Sequence, residues 1–266
     1  MSDDRLRPTE TQSDPPPSGR RAFLERVAAA CAAGTPLLVG TVRAALAQDP
    51  GETYDPEEHL YAIGLDVNKC IGCARCVVAC KTENDVPREP HFFNTWIERY
   101  VIRGDGEVLV DSPNGGIGGF PRLDDEVDIR RTFFVPKICN HCENPPCVQV
   151  CPVGATFITA DGVVLVDEEY CIGCRYCIQA CPYGARYMHP EKHVAGKCTF
   201  CYHRLVRGKV PACVEACPTG ARVFGEVEGR ATPLARFIRF NSVQVLKPHL
   251  NTKPKAYYAN LDFEVS

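Results

Sequence analysis

Sixteen of the seventeen cysteines in this 266-residue chain fall into four groups of four. The first is Cys70, Cys73, Cys76 and Cys80 (CIGCARCVVAC), and the third is Cys171, Cys174, Cys177 and Cys181 (CIGCRYCIQAC). The second, Cys139, Cys142, Cys147 and Cys151, and the fourth, Cys198, Cys201, Cys213 and Cys217, repeat the pattern with a loop inserted. A proline follows the last cysteine of the second, third and fourth groups, whereas the first has Lys81 there. Thiolates are soft donors, and three of them on one tight loop can wrap three corners of a single polynuclear centre. The fourth, carried on the helix that follows, aims away and reaches a neighbouring centre.

The uninterrupted spacing of groups one and three is that of a bacterial ferredoxin run, which binds 4Fe–4S cubanes. Structural zinc draws its four ligands from two pairs, not from a repeated three-plus-one run. Disulfides between neighbours in such loops would close strained rings. Covalent haem needs Cys-x-x-Cys-His, which the chain lacks. Four 4Fe–4S clusters are therefore expected. Gly72 and Gly173 suit a left-handed turn inside the loop, and Ile71 and Ile172 are expected to pack on the clusters. Each oxidised cluster with its thiolates carries about two negative charges. Lys69, Arg75, Arg175 and Lys197 lie in or beside the cysteine loops, and they read equally as counter-charges or as ordinary surface residues. His91, His141, His189, His193 and His203 are assigned no role.

The elements that position these loops are only partly legible. WIERYVI and EVLV flank Arg103-Gly104-Asp105-Gly106 and predict a β-hairpin within a cysteine-free insertion over 82–138. DSPNGGIGG, 111–119, reads as a loop, and Val163 to Val166 as a strand after the Asp161-Gly162 turn. Residues 1–19 are polar and proline-rich. Arg20-Arg21 opens an alanine-rich stretch ending at Ala45-Leu46-Ala47, a layout that resembles a twin-arginine export leader over 1–47. It departs from that pattern at Gly19 and Glu25, and Cys31 reads as apolar filler within it. Beyond residue 48 no run of eighteen apolar residues occurs, so no membrane span is expected. With 30 basic against 33 acidic residues and no basic stripe interleaved with aromatics, no nucleic-acid partner is expected.

Four runs, LDVNKCIGCARCVVACKTEN, ICNHCENPPCVQVCPVGA, VDEEYCIGCRYCIQACPYGARY and KCTFCYHRLVRGKVPACVEACPTGA, make the chain resemble the four-cluster iron–sulfur subunits of the dimethyl sulfoxide reductase family. LNTKPKAYY is similar to the tails of exported members linked to nitrite and tetrathionate reduction. The resemblance implies an α+β fold of two interlocked bacterial-ferredoxin-like halves, with a β-hairpin insertion and an extended C-terminal tail. It implies that Cys70, Cys73, Cys76 and Cys217 hold one cluster, and Cys198, Cys201, Cys213 and Cys80 its neighbour. The other pair would be held by Cys139, Cys142, Cys147 and Cys181, and by Cys171, Cys174, Cys177 and Cys151. The expected organisation is a leader over 1–47, a four-cluster domain over 48–230 and a partner-docking tail over 231–266.

Four clusters with no nucleotide fingerprint and no catalytic dyad make a wire, so no catalytic residues are expected. By resemblance, one end would meet a molybdenum or tungsten pterin catalytic subunit and the other a quinone-reacting integral membrane subunit. The whole would lie in the periplasm, attached to the membrane through its partners and exported by the twin-arginine route. An alternative keeps the wire but delivers quinol electrons to a multihaem cytochrome c. A stand-alone polyferredoxin or a zinc-filled module is a third reading. The insertion and the tail, as surplus surface for docking, weigh against it.

Overall fold

The computed structural model describes residues 54–123, 128–228 and 231–265. The expected leader and Cys31 lie outside the described residues. Residues 54 onward form one compact unit.

Four short helices carry the third cysteine of each group. They are α1 (Arg75–Glu83), α2 (Pro146–Gln149), α3 (Tyr176–Ala180) and, after α4 (Tyr202–Leu205), α5 (Ala212–Glu215). Helix α1 packs on α5, and α2 on α3. The first and fourth cysteine groups therefore share one half of the molecule, and the second and third share the other. Around the second half lie two antiparallel ribbons: β5 (Thr156–Ile158) with β6 (Val164–Val166), and β7 (Arg186–Met188) with β8 (Ala195–Lys197). The fold is the expected α+β arrangement of two ferredoxin-like halves.

The expected hairpin is present as β2 (Thr95–Arg103) and β3 (Val108–Asp111), but a third strand, β4 (Ile129–Ile138), lies on the other side of β2. This sheet is tied to the cysteine-bearing body. Thr95 Oγ1 donates to the Lys137 carbonyl at 2.6 Å and accepts from Arg222 at 2.7 Å, and Tyr258 Oη donates to the Pro136 carbonyl at 3.2 Å. The glycine-rich loop after β3 contains a turn of 3-10 helix, Pro113–Gly116, in which Gly115 and Gly116 are buried. A Cβ on Gly116 would lie 3.2 Å from that of Ile97, so the missing side chain is what lets the turn sit against β2.

The segment expected to be a docking tail is built into the core. Helix α6 (Pro233–Phe240) starts at Thr232, whose hydroxyl accepts from the Ala235 N–H. Strands β10 (Val243–Gln244) and β11 (Ala256–Ala259) complete a sheet of order β10-β11-β1-β9 with β1 (Tyr61–Asp66) and β9 (Arg222–Glu226). Strand β1 is buried on both faces and sorts its residues by size. Ala62 and Gly64 meet α6, where a Cβ on Gly64 would lie 2.5 Å from the Phe237 ring, while Ile63 and Leu65 enter the main core. Tyr258 on β11 is fully buried beside them. A boundary at residue 230 therefore does not separate a tail from a domain: the apolar face of β1 needs β11 and α6 to be covered.

Candidate metal centre

The structure gathers two of the expected sets around cavities. Cys70, Cys73, Cys76 and Cys217 line one cavity, and Cys139, Cys142, Cys147 and Cys181 line another. Each set combines the three-cysteine loop of one group with the last cysteine of another. Among the described residues, no three of His, Cys, Asp or Glu close around a single-ion position. The sulfurs surround a space, which suits a cubane that offers each one its own iron.

A third set is drawn together by α1 and α5. Asn84 Nδ2 stands 3.5 Å from both the Cys80 and the Cys201 sulfur, the charges on Cys213 and Cys201 act on Cys80, and that on Cys80 acts on Cys198. For the fourth expected set the structure shows the packing of α2, which precedes Cys151, against α3, which holds Cys177. The Ala195 N–H also points to the Cys171 sulfur at 3.5 Å.

The loops are shaped by residues in the left-handed region. Gly72 (φ +70°) and Gly173 (φ +68°) adopt it as expected. In the second and fourth groups the same position holds His141 (φ 41°) and Phe200 (φ 54°), both buried and stacked on each other at 3.7 Å between ring centroids. His141 Nδ1 accepts the Val164 N–H at 3.0 Å, and burial, followed by the nearby Lys197 and Lys255, holds its pKa well below the usual histidine range. His141, given no role on sequence grounds, is therefore a neutral ring at the centre of the molecule. Ile71 lines the first cavity yet is 58% exposed, and Ile172 is 65% exposed, so neither isoleucine is enclosed as a cluster cover.

Burial dominates the sulfur electrostatics. It pushes the thiols of Cys70 and Cys213 up to about 11 and that of Cys142 up to about 12. Cys151 and Cys217 go the other way. Burial raises them too, but it is outweighed for Cys217 by the Thr219 hydroxyl and the backbone N–H groups of Thr219, Ala221 and Arg222, and for Cys151 by those of Thr156, Val153 and Ala155. The Cys-Pro-x-Gly-Ala turn thus wraps its amides over the last sulfur of the group. Of the four candidate counter-charges, only Lys197 is buried; Arg75 and Arg175 are exposed, and Lys69 pairs with Asp66 at 3.3 Å. The insertion supplies a wall that sequence reasoning missed: Ile97 of β2 and Pro136 of β4 line the first cavity.

The fold and these paired thiolate cradles define a double-dicluster ferredoxin-type electron carrier. Models of a 4Fe–4S dicluster domain match residues 69–155 and 130–227, which accounts for four clusters. A tetrathionate reductase subunit from Salmonella typhimurium is 38% identical over 247 residues, 92% of this chain and 89% of the relative. The Archaeoglobus fulgidus protein of the same name is 45% identical over 201 residues (76% and 82%), and protein NrfC of Escherichia coli K12 is 37% identical over 199 residues (74% and 79%). The chain belongs to this family of 4Fe–4S electron-transfer subunits, non-catalytic members of oxidoreductase complexes. No helix among the described residues is long and apolar enough to cross a membrane.

Proposed function

We propose that the chain is the wire of an exported, membrane-associated oxidoreductase and that its sixteen cysteines hold four clusters in the sets assigned above. The clusters run in the order Cys70-Cys73-Cys76-Cys217, Cys198-Cys201-Cys213-Cys80, Cys139-Cys142-Cys147-Cys181, Cys171-Cys174-Cys177-Cys151. Each cluster supplies a one-electron centre when bound, and the protein fixes spacing, excludes water and sets potential. The observation that carries the proposal is a difference in exposure. Among the sixteen cysteines only Cys73 and Cys174 are exposed, one in each outer set, while the inner sets meet at the buried His141–Phe200 stack. Electrons would enter and leave at the two outer loops, where Ile71 and Ile172 provide apolar contact for partners.

The partners are a molybdenum or tungsten pterin subunit at one end and a quinone-reacting membrane subunit at the other; similarity to the tetrathionate reductase proteins supports this arrangement. Similarity to NrfC favours a second arrangement, in which the electrons pass to a multihaem cytochrome c. Export by a twin-arginine leader over 1–47 belongs to the same proposal, as does a docking role for the exposed parts of 82–138 and 231–266, where Phe240 and Phe263 stand out. The test is recovery of the complex under anaerobic conditions with a tag on this chain, counting iron, sulfide, zinc, molybdenum, tungsten and haem. Four clusters require about sixteen iron in this chain. Molybdenum or tungsten alongside supports the first arrangement and haem without them the second, whereas zinc in place of iron overturns both.

A further inference from the structure

The core holds charge in places where a protein rarely leaves it. Among the buried cations, Arg99 pairs with Asp111 and Lys137 with Glu98. Arg186, Lys197, Arg222 and Lys255 are also buried, yet among the described residues none of them forms an ion pair with a carboxylate. An unpaired buried charge is costly, so each of these groups needs an anion supplied by something else.

Their positions show what that anion is. Arg222 lines the cavity of Cys70, Cys73, Cys76 and Cys217, and it also faces Cys213 of the adjoining set. Its Nη2 donates to Thr95, while its buried Nη1 has no hydrogen-bond partner. Arg186 repeats the arrangement in the other half. It lines the cavity of Cys139, Cys142, Cys147 and Cys181, donates from Nη2 to the Cys147 sulfur at 3.1 Å, and faces Cys177 of the outer set. Both arginines are the sixth residue of a Cys-Pro-x-Gly-Ala-Arg run, starting at Cys181 and at Cys217. Lys197 stands at the middle junction, where its Nζ donates to the carbonyls of Val164 and Cys198. Three of the four buried cations thus lie between sets of sulfurs, while the fourth, Lys255, donates to the Gly162 carbonyl and, of the sulfurs, neighbours only Cys142 and Cys139 of one inner set.

We infer that Arg222 and Arg186 are the potential-setting residues of the wire: each is a fixed positive charge shared by an outer and an inner cluster that raises the reduction potential of both. Lys197 does the same for the two inner clusters. A guanidinium stays charged at any working pH, and an added electron is stabilised by a positive charge held nearby in a medium of low dielectric. One cation shared by two clusters moves both potentials in the same direction, which keeps the step between them small.

The inference rests on the proposed cluster ligation, and the experiment separates the two. Arg222→Gln, Arg222→Lys, Arg186→Gln and Arg186→Lys are made in the full chain within its complex, purified anaerobically, and followed by iron count and by redox titration with electron paramagnetic resonance. Wild-type protein short of four clusters overturns the ligation. With ligation sound, Arg222→Gln is expected to lower the potentials of two clusters and Arg186→Gln those of the other two. Each shift should be at least tenfold in the one-electron equilibrium constant, about 59 mV, and both lysine variants should keep the native values. Glutamine variants with full iron and unmoved potentials overturn the inference, as do lysine variants that shift as far as glutamine. Where a glutamine variant loses iron, the lysine variant decides: full iron at the native potential supports the role of charge, and iron loss there as well overturns it.

Discussion

Truncating Phe200 to alanine tests whether the centre of the molecule is held by ring packing. Phe200 is 1% exposed, stacks on His141 at 3.7 Å and 20°, and meets Phe224 edge-on at 5.2 Å. Removing a buried phenylalanine side chain costs about 3–5 kcal/mol, of which each lost ring pair accounts for about 0.5–1.5 kcal/mol. Alanine gains nothing in return, because the φ of 54° remains unfavourable for any residue with a Cβ. For a chain of this size each kcal/mol lowers the unfolding midpoint by about 2–4 °C, so Phe200→Ala should lower it by about 6–20 °C. The assay is circular dichroism of the anaerobic protein, with iron counted before and after the scan. His141→Ala, which also strands the Val164 N–H, should couple to Phe200→Ala by at least about 0.5 kcal/mol in a double-mutant cycle. A midpoint within about 2 °C of the parent and strict additivity would refute the role of the stack.

Three other outcomes are expected. Gly173→Ala places a Cβ 2.6 Å from the His193 carbonyl oxygen at φ +68° and should cost the cluster of that loop, about four of sixteen iron, whereas Gly184→Ala, at φ +63° with open space around it, should cost only about 1–2 kcal/mol in denaturant unfolding and keep all its iron. If sets are shared between groups as proposed, Cys80→Ser and Cys198→Ser should abolish the same paramagnetic signal and Cys76→Ser a different one. Stripping the iron with an oxidant and a chelator should unfold the chain. It would leave Arg186, Lys197 and Arg222 buried without counter-charge at about 3–5 kcal/mol each, against a typical net stability of about 5–15 kcal/mol. A native circular dichroism spectrum after iron removal would contradict this.

The cysteine spacing made the four-cluster content and the left-handed glycines legible, because a ligand loop imposes its geometry locally, whereas the two-half fold was legible only through the resemblance of the four cysteine runs to a known family. Strand β4 was not legible. Its first half, Ile129-Arg130-Arg131-Thr132, carries too many exposed charges to alternate cleanly, and it is recruited by pairing with β2. Strand β11 is four residues of a segment that reads as a tail, and only its parallel register with β1 buries Tyr258. Arg186 and Arg222 are not among the candidate counter-charges, since nothing in the spacing marks them. Their burial becomes visible only once sulfurs from segments more than a hundred residues apart converge, as when Arg222 meets both Cys70 and Cys213. His141 and Phe200 could have been found by aligning the four loops on their cysteines, since they replace the glycine of Cys-Ile-Gly-Cys.

The pairing of Ile63 with Ala256 sets an order of assembly. A chain made from its N-terminus presents β1 early and β11 nearly two hundred residues later, so the four-stranded sheet cannot close before β11 has been made. The half built on α2 and α3 has its ribbons complete once β8 is made, but the loop of the second cysteine group waits for the same late segment: the Glu143 and Asn144 N–H groups donate to the carbonyls of Lys253 and Thr252, and the Lys255 N–H donates to that of Asn140. Residues 252–259 therefore close both halves, holding that cysteine loop on one side and β1 on the other. Iron loaded before that segment seats would enter two halves that are both still open, and the closing of β11 against β1 marks the point at which they are sealed.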